Sequence, residues 1–259
     1  MRKFIAAPEG KLLISLDFSQ IELRVGAFYC RDKKMLETYR AGGDIHAATT
    51  SVIFHVPFNE AADKNAPHYK EHRTIAKNCN FGVFYGLFPS GLQKTLKFKA
   101  GLDMSKEACA GIIDNLKSGY PHLTDWQDET KRRAANTCYA ETWLGRRRYI
   151  IGILSTDWGK RSFAERCAMN TPIQGTAADI LKLAMGRIVA GIKERPWLKP
   201  FLQIHDELVF EIPADKLDEA VGFVKACMEV QPFPAFDVPI IAEAAYGESF
   251  GELKEMEDV

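Results

Sequence analysis

Apolar runs and helically spaced apolar residues divide this chain of 259 residues into predicted strands and amphipathic helices. The run Lys11–Phe18 predicts a β-strand whose last two residues are Asp17 and Phe18. Apolar positions at helical spacing follow and predict a helix with Ser19 as its N-cap. Glu22 stands third after Ser19, the capping-box position, so a purely structural role for this glutamate is an open alternative.

The remaining segments predict a mixed fold of helices and antiparallel strands. Pro57–Pro67 is polar and rich in turn residues, which predicts an irregular connection. A hairpin is predicted at Tyr139–Ile150, tipped by Arg146–Arg148, and a final strand at Val238–Ala245. Further helices are predicted at Asp44–Phe54, His68–Gly86, Ser105–Ser118, Leu123–Cys138, Ser162–Ile192 (broken at Pro172) and Asp215–Val230.

The segment Phe201–Ile212 carries two apolar runs around the three polar residues His205, Asp206 and Glu207. The pattern predicts two buried strands joined by a turn, although the turn lacks the usual Asn-Gly, Asp-Gly or proline. Two adjacent carboxylates beside a hydrophobic hairpin need a cation or hydrogen bonds to compensate their desolvation. A solvated hairpin tip and a functional site are equally good interpretations of this segment alone.

A stripe of four functional side chains is predicted on the helix His68–Gly86. Arg73, Lys77, Phe81 and Tyr85 recur every four residues, so they follow one slowly turning face of a helix. Two cations followed by two aromatic rings suit a ligand with phosphates at one end and a flat base at the other. A surface helix whose aromatic residues simply pack is the alternative.

Charge and cysteine usage narrow the class of protein. The 34 basic and 34 acidic side chains balance, but residues 70–166 hold 17 basic against 10 acidic residues, and residues 205–259 hold 3 against 14. This asymmetry indicates a basic face for polyanions and an acidic part that holds metal or is solvated surface. The six cysteines are scattered along the chain, and the sequence shows neither a signal peptide nor an apolar run long enough to span a bilayer. These features indicate a cytoplasmic protein that does not enter a membrane.

Four segments resemble the catalytic motifs of family A DNA polymerases, the bacterial DNA polymerase I type. They are D-F-S-Q-I-E-L-R (17–24), R-T-I-A-K-N-C-N-F-G-V-F-Y-G (73–86), E-R-C-A-M-N-T-P-I-Q-G-T-A-A-D-I (165–180) and Q-I-H-D-E-L-V-F-E (203–211). The resemblance covers essentially the whole chain. It implies an α+β right-hand fold, with palm at 1–42 and 161–259 and mostly helical fingers at 43–160.

The resemblance also implies the chemistry: template-directed transfer of deoxynucleotides to a primer 3′-hydroxyl with two Mg²⁺ ions. Asp17 and Asp206 match the metal-binding aspartates, and Phe18 stands where the family uses a main-chain carbonyl on the metal. Glu207 matches an acidic residue with a supporting role. Two metal ions on carboxylates from separate segments suit a displacement at phosphorus, because both the attacking and the leaving oxygen need stabilising.

The same resemblance implies a nucleotide site and a DNA site. Arg73 and Lys77 would hold the triphosphate, and Lys77 could protonate the leaving pyrophosphate. Phe81 would pack on the sugar and Tyr85 near the nascent base pair, while Glu22 would exclude a 2′-hydroxyl. Gln20 and His46 are assigned to the nucleotide pocket. The residues implied to touch primer–template DNA are Arg166, Asn170, Gln174 and His205.

Two features depart from a complete polymerase or compete with the resemblance. The family also has a thumb, an upstream arginine and often an exonuclease-like domain, all of which would precede Met1. We therefore expect a fragment with weak activity. Its expected location is the cytoplasm, as a nucleoid-associated or a phage-encoded protein. A remnant that binds nucleotide or DNA but hardly catalyses is the alternative. His68, Glu71 and His72 also fit H-x-x-E-H, a zinc-peptidase pattern short enough to arise by chance.

Overall fold

The computed structural model describes residues 2–256 and confirms the expected α+β class with an antiparallel sheet. Met1 and residues 257–259, which the predicted palm bounds include, lie outside the described residues. The strands are β1 Lys11–Phe18, β2 Tyr139–Glu141, β3 Arg147–Tyr149, β4 Lys199–Ile204, β5 Glu207–Pro213, β6 Ala242–Gly247 and β7 Lys254–Glu255. The helices are α1 Ile21–Cys30, α2 Lys33–Arg40, α3 Ile45–Phe54, α4 Phe58–Ala62, α5 Tyr69–Val83, α6 Pro89–Thr95, α7 Lys106–Gly119, α8 Pro121–Thr137, α9 Trp158–Ile192 and α10 Leu217–Glu229.

The chain forms two compact units. The sheet unit consists of Met1–Ile21 and Ala177–Val259, and the helical unit consists of Glu22–Thr176. Helix α9 contributes residues to both. These bounds follow packing, whereas the palm and fingers bounds at 1–42, 43–160 and 161–259 concern polymerase subdomains and stay a proposal.

The sheet unit is built on five antiparallel strands in the order β4-β5-β1-β6-β7. The central strand β1 is buried along Leu13–Leu16, because β5 and β6 flank it and helix α10 packs against all three. Asp17 is the exposed residue at the end of this buried run. A small cluster of Leu13, Val209 and Phe250 fills one part of the core. The buried strand therefore delivers one carboxylate to the surface at a fixed position.

The helical unit packs α3 against α5 and α7, with the hairpin β2–β3 beside α8. Capping follows the sequence: the Asp44 side chain accepts the His46 amide at the start of α3, and the Ser105 side chain accepts the Ala108 amide at the start of α7. Helix α1 begins at Ile21, two residues after the predicted cap Ser19. None of the helices in the described part of the chain is long and apolar enough to span a bilayer.

Two predictions about burial and continuity were wrong. The strand that contains Phe201 was expected to be buried, but β4 is the edge strand of the sheet and Phe201 is 46% exposed. Helix α9 was expected to break at Pro172, yet it continues through the proline. The proline costs one backbone hydrogen bond, and the burial of Ala168 and Ile173 on either side compensates for it.

Smaller differences have local causes. The strand predicted at Val238–Ala245 is β6 at Ala242–Gly247, because Pro239 cannot donate to a ladder, and it is not the final strand, since β7 follows and pairs with it. Helix α5 ends at Val83, so Tyr85 lies in the turn that follows it. The tip of the β2–β3 hairpin is Thr142–Arg146, closed by a bond from the Thr142 amide to the Arg146 carbonyl, and the next two arginines lie in β3.

Candidate active site

Three carboxylates lie in a row across the sheet unit. In the antiparallel register Asp17 of β1 stands opposite Glu207 of β5 on one side and Glu243 of β6 on the other. Directly opposed residues project from the same face of a sheet, so all three side chains share one face. Glu243 was not anticipated from the sequence, because strand pairing, and no local motif, brings it beside Asp17.

Asp206 adds a fourth carboxylate beside Asp17. It lies in the two-residue turn between β4 and β5, and its carbonyl accepts the Phe18 amide at 3.4 Å. His205 adopts φ 55° in this turn, which makes the tight connection without glycine. The turn thus holds Asp206 next to the last two residues of β1, the segment from which Asp17 and Phe18 were predicted to act.

The electrostatics of Asp17 show an excess of negative charge. The pKa of Asp17 is raised to about 6, chiefly by desolvation and then by the charges of Asp206, Glu207 and Glu243, while a hydrogen bond from the Phe18 amide acts in the opposite direction. Glu207 has partners of its own: the Ser15 hydroxyl donates to it at 2.5 Å, and the Arg2 guanidinium lies 3.6 Å away. Within the described residues, an ion pair is found for Glu207, while Asp17, Asp206 and Glu243 have no such partner.

This donor set fits a hard divalent cation. Within residues 2–256, no group of three or more His, Cys, Asp or Glu side chains is arranged to hold a metal ion. Mg²⁺ does not require such a group, because it is commonly held by one or two carboxylates while waters and substrate phosphates complete its shell. Asp17, Asp206 and the carbonyl of Phe18 match that kind of incomplete site.

Helix α5 carries the predicted phosphate-binding pair in the helical unit. The Arg73 guanidinium forms an ion pair with Asp44, the N-cap of α3. Burial raises the pKa of the Asp44 carboxyl, but hydrogen bonds from Arg73 and the His46 amide outweigh it and the net pKa is lowered. Lys77 is exposed one turn further along. Phe81 is 58% exposed on the same helix, which is an unusual position for a ring that merely packs.

Tyr85 connects the turn after α5 to helix α1. Its hydroxyl donates a hydrogen bond to the Glu22 carboxylate and is also bonded to Gln174. Desolvation and the bond to Glu22 raise the pKa of Tyr85, so it stays protonated and can donate. Three residues predicted from separate motifs are thus joined in one network, and Gln20 lies just before α1 with φ 56°.

His46 lies on α3 and is almost fully buried. The pKa of His46 is lowered to about 4, chiefly by burial. The charges of Arg73 and Lys77 also lower it, whereas the charge of Asp44 raises it. Its Nδ1 is 2.9 Å from Nδ2 of Asn80, a residue of α5 that the sequence did not single out. The ring of Phe81 lies 6.4 Å from the His46 ring, so the predicted pocket residues of α3 and α5 are close together.

The residues assigned to DNA lie on two segments. Arg166, Asn170 and Gln174 occupy successive turns of α9, while His205 is exposed in the turn of the sheet unit. The Arg166 guanidinium donates to the Ser162 hydroxyl at 2.8 Å. Within the described residues, the side-chain oxygen of Asn170 is buried without a hydrogen-bond partner, which is costly unless a ligand supplies a donor.

The basic cluster of α8 and the β2–β3 hairpin is largely paired. Glu141 accepts both Arg133 and Arg147. Arg146 donates to the Gly175 carbonyl at 2.9 Å, which is a structural contact. Arg148 is exposed in β3, and its guanidinium donates a long, weak hydrogen bond to the Cys167 sulfur at 3.7 Å. Arg148 is therefore the arginine of the three that is best placed to serve a phosphate.

The described residues give the zinc alternative no support. His68 precedes helix α5 with φ 61°, and its ring stacks on the ring of His72 at 5.5 Å. His72 in turn stacks on Phe54 at 3.8 Å. Stacked rings do not direct their nitrogens at one point, and no metal-holding group is found in the described chain.

Comparisons with known proteins agree with the motifs. Residues 1–252 match the sequence profile of DNA polymerase family A. The thermostable DNA polymerase I of Thermus filiformis is 39% identical over 98% of this chain and 29% of its own length. DNA polymerase I of Pseudomonas aeruginosa is 35% identical over 97% of this chain and 26% of its own length.

A solved structure has the same fold. It is the POL domain of Pol1 from M. smegmatis in a complex with DNA primer-template and dNTP, with a TM-score of 0.84 and 33% identity. The match covers 96% of this chain and 42% of that one. The chain thus spans less than a third of the curated relatives given above and under half of this polymerase domain. The profile match and the shared identity over nearly all of its length show that the chain belongs to DNA polymerase family A.

Proposed function

We propose that this chain carries out template-directed DNA synthesis, in which a deoxynucleotide is transferred to the 3′-hydroxyl of a primer with the help of two Mg²⁺ ions. The observation that carries the proposal is the position of Asp17, at the end of a buried strand and beside Asp206 and Glu207. Family membership and the Pol I relatives support the same activity. The proposed partners are primer–template DNA and dNTPs, and the proposed location is the cytoplasm of a bacterium or of a phage-infected host.

In the sheet unit, Asp17, Asp206 and the Phe18 carbonyl would hold the metal ions. Bound there, the ions would stabilise the charge that develops on the attacking and leaving oxygens. Glu207 is held by Ser15 and Arg2, so its proposed role is to support the two aspartates rather than to bind metal itself. The rigid strand β1 fixes these groups before any substrate binds.

In the helical unit, Arg73 and Lys77 would bind the triphosphate. Arg73 is held half-buried by Asp44, which keeps its guanidinium in place, and Lys77 is free to donate a proton to the pyrophosphate as it leaves. The exposed ring of Phe81 offers a surface for the sugar. Glu22, which Tyr85 holds, would occupy the space that a 2′-hydroxyl needs. Arg166, Asn170, Gln174 and His205 are proposed to contact DNA.

Primer extension tests the proposal directly. The full chain is incubated with a primer–template, dNTPs and Mg²⁺ at about 50 mM salt, where phosphate contacts are strongest. Extension that follows the template sequence is expected, and it should vanish in Asp206→Ala. Circular dichroism and thermal melting should show that this variant is folded, because Asp206 is half-buried in a turn whose hydrogen bond to Phe18 uses the main-chain carbonyl. Equal extension rates in the variant and the parent would refute the metal assignment.

The binding-remnant alternative makes the opposite prediction. A chain that spans under a third of its curated relatives could hold nucleotide or DNA without turning it over. In that case saturating primer–template should give no extension, even though the anisotropy of labelled DNA reports binding. The two outcomes separate the functions without any change of sequence.

A further inference from the structure

A chain of buried hydrogen bonds runs through the helical unit to His46. The Tyr120 hydroxyl lies 3.0 Å from the Thr49 hydroxyl, and the Thr49 hydroxyl lies 2.8 Å from Oδ1 of Asn80. Nδ2 of Asn80 lies 2.9 Å from Nδ1 of His46. Thr49 and Tyr120 are completely buried, and Asn80 is 2% exposed. Four buried polar side chains, two from α3, one from α5 and one from the residue between α7 and α8, are thus joined in one line.

The direction of this chain follows from Tyr120. Burial raises the pKa of its hydroxyl, so the proton stays on the oxygen and needs an acceptor. Thr49 is the hydrogen-bond partner that the described residues provide for that hydroxyl. Tyr120 therefore donates to Thr49, and the single proton of Thr49 is directed to Oδ1 of Asn80.

The orientation of the Asn80 amide is then determined. With Oδ1 accepting from Thr49, the amide group donates to Nδ1 of His46. The reverse orientation would make Thr49 accept from Asn80 and donate to Tyr120, and it would leave the Tyr120 proton buried without an acceptor. A ring nitrogen that accepts carries no proton, so the proton of the neutral imidazole sits on Nε2.

We propose that Tyr120, Thr49 and Asn80 form a one-way hydrogen-bond relay that holds His46 as its neutral Nε2–H tautomer. Within the described chain the recorded hydrogen bond of the His46 ring is the one at Nδ1, which leaves Nε2–H for an outside acceptor. The identity of this acceptor rests on the proposed function: it is an oxygen of the triphosphate near Arg73 and Lys77. The three relay residues are positioning residues, because they act on the nucleotide only through His46.

The surroundings of His46 favour the neutral form that the relay requires. Asp44 precedes it on α3, and Arg73 and Lys77 face it from α5. Burial and the two cations together outweigh the attraction of Asp44 for a ring proton. A neutral donor can bind a phosphate oxygen without adding another cation beside Arg73 and Lys77.

Nitrogen NMR tests the relay without requiring activity. Long-range ¹H–¹⁵N correlation spectra distinguish the Nδ1–H and Nε2–H tautomers of each histidine, and the His46 signals are assigned by their loss in His46→Gln. The parent should show Nε2–H at neutral pH. Asn80→Asp presents only acceptors to the ring, so the proton should move to Nδ1 or the ring should become an imidazolium. An Nδ1–H tautomer in the parent would overturn the proposal.

Milder variants keep the test decisive if Asn80→Asp does not fold. Thr49→Val preserves shape and removes the hydroxyl that orients the Asn80 amide, so it should produce a mixture of the two tautomers at His46. Tyr120→Phe leaves Oδ1 of Asn80 as the acceptor of the Thr49 proton and should keep the Nε2–H form. A pure Nε2–H signal in Thr49→Val would show that the relay does not set the tautomer.

Nucleotide binding supplies the functional readout. Asn80→Asp should raise the KM for dNTP by roughly tenfold, the effect of one lost hydrogen bond to a charged oxygen, with little change in kcat. In a His46→Gln background the glutamine amide supplies a donor by itself, so the added Asn80→Asp change should have almost no effect. An equal rise in KM in both backgrounds would mean a merely structural role. If primer extension fails while the NMR result holds, the proposed function falls and the relay stands.

Discussion

The Tyr85 hydroxyl donates a hydrogen bond to the Glu22 carboxylate, and this bond joins the turn after helix α5 to the first turn of α1. Glu22 therefore has a fixed side-chain position rather than a free surface location. A carboxylate held in one position suits the role proposed for Glu22, the exclusion of a 2′-hydroxyl.

Glu22→Ala should admit ribonucleotides. Removal of the carboxylate opens the space and leaves the Tyr85 hydroxyl in place, so the preference for dNTP over rNTP should fall by at least about tenfold. Parallel primer extensions with each nucleotide measure kcat/KM for both sugars. Glu22→Gln is the matched control, because it keeps the volume and a hydrogen-bond acceptor for Tyr85. Unchanged selectivity in Glu22→Ala would remove Glu22 from this role.

Metal-free stability should depend on pH through Asp17. Its pKa is raised from 3.8 to about 6 in the folded protein, so the folded state binds the proton more tightly than the unfolded state. The free energy of unfolding should therefore fall as pH rises from about 4 to 6, and Asp17→Asn should flatten that fall. Thermal melts in a chelating buffer across this range measure the difference.

Binding of Mg²⁺ should recover the stability that is lost when the carboxylates ionise. The rise in Tm on adding Mg²⁺ should be larger at about pH 8, where Asp17 is ionised, than at about pH 5, where it binds a proton. Asp17→Asn should show a much smaller rise at both values. An equal Mg²⁺ effect in parent and variant would place the ion elsewhere in the molecule.

Local patterns predicted most of the secondary structure because each element carries its own signal. The strand β1 was predicted with its observed bounds, and helix α3 was predicted to within one residue of its start. Helix α2 was missed although Asp32 caps it, since its eight residues give too short an apolar pattern to stand out. Pro172 was overestimated as a helix breaker because burial on both sides of it is a tertiary effect.

The candidate site was predictable where a motif is contiguous and not where pairing builds it. Asp17 and Asp206 were found through their motifs, whereas Glu243 reaches Asp17 only through the register of β1 and β6. The role of Asn80 was equally hidden, since its partners His46 and Thr49 lie on another helix. Long-range contacts of this kind follow from the packed fold and leave no periodic trace in the sequence.

Gly26→Ala should disturb the packing of Phe84 and so the position of Tyr85, which holds Glu22. A methyl group at Gly26 would clash with the ring of Phe84, which is buried next to Tyr85 in the chain. The forced shift should cost about 1–3 kcal/mol of unfolding free energy and should also weaken sugar selectivity. Gly111→Ala in α7 is the control, because no atom lies within 4 Å of its added carbon and the helix should gain up to about 1 kcal/mol. Chemical denaturation of both variants measures the contrast, and equal stabilities would contradict the packing argument.

Alanine variants of Arg148 and Arg146 should distinguish an arginine that contacts DNA from one that stabilises the fold. Arg148 is exposed, and its one hydrogen bond within residues 2–256 is a weak contact with the Cys167 sulfur, so Arg148→Ala should leave the melting temperature unchanged. Its loss should reduce the slope of log affinity against log salt by about 1, the effect of one phosphate contact. Arg146 donates to the Gly175 carbonyl, so Arg146→Ala should lower stability by about 1 kcal/mol. Anisotropy titrations of labelled primer–template over a series of salt concentrations, with a melt of each variant, give both quantities. An unchanged slope in Arg148→Ala would mean that this arginine does not serve the DNA backbone.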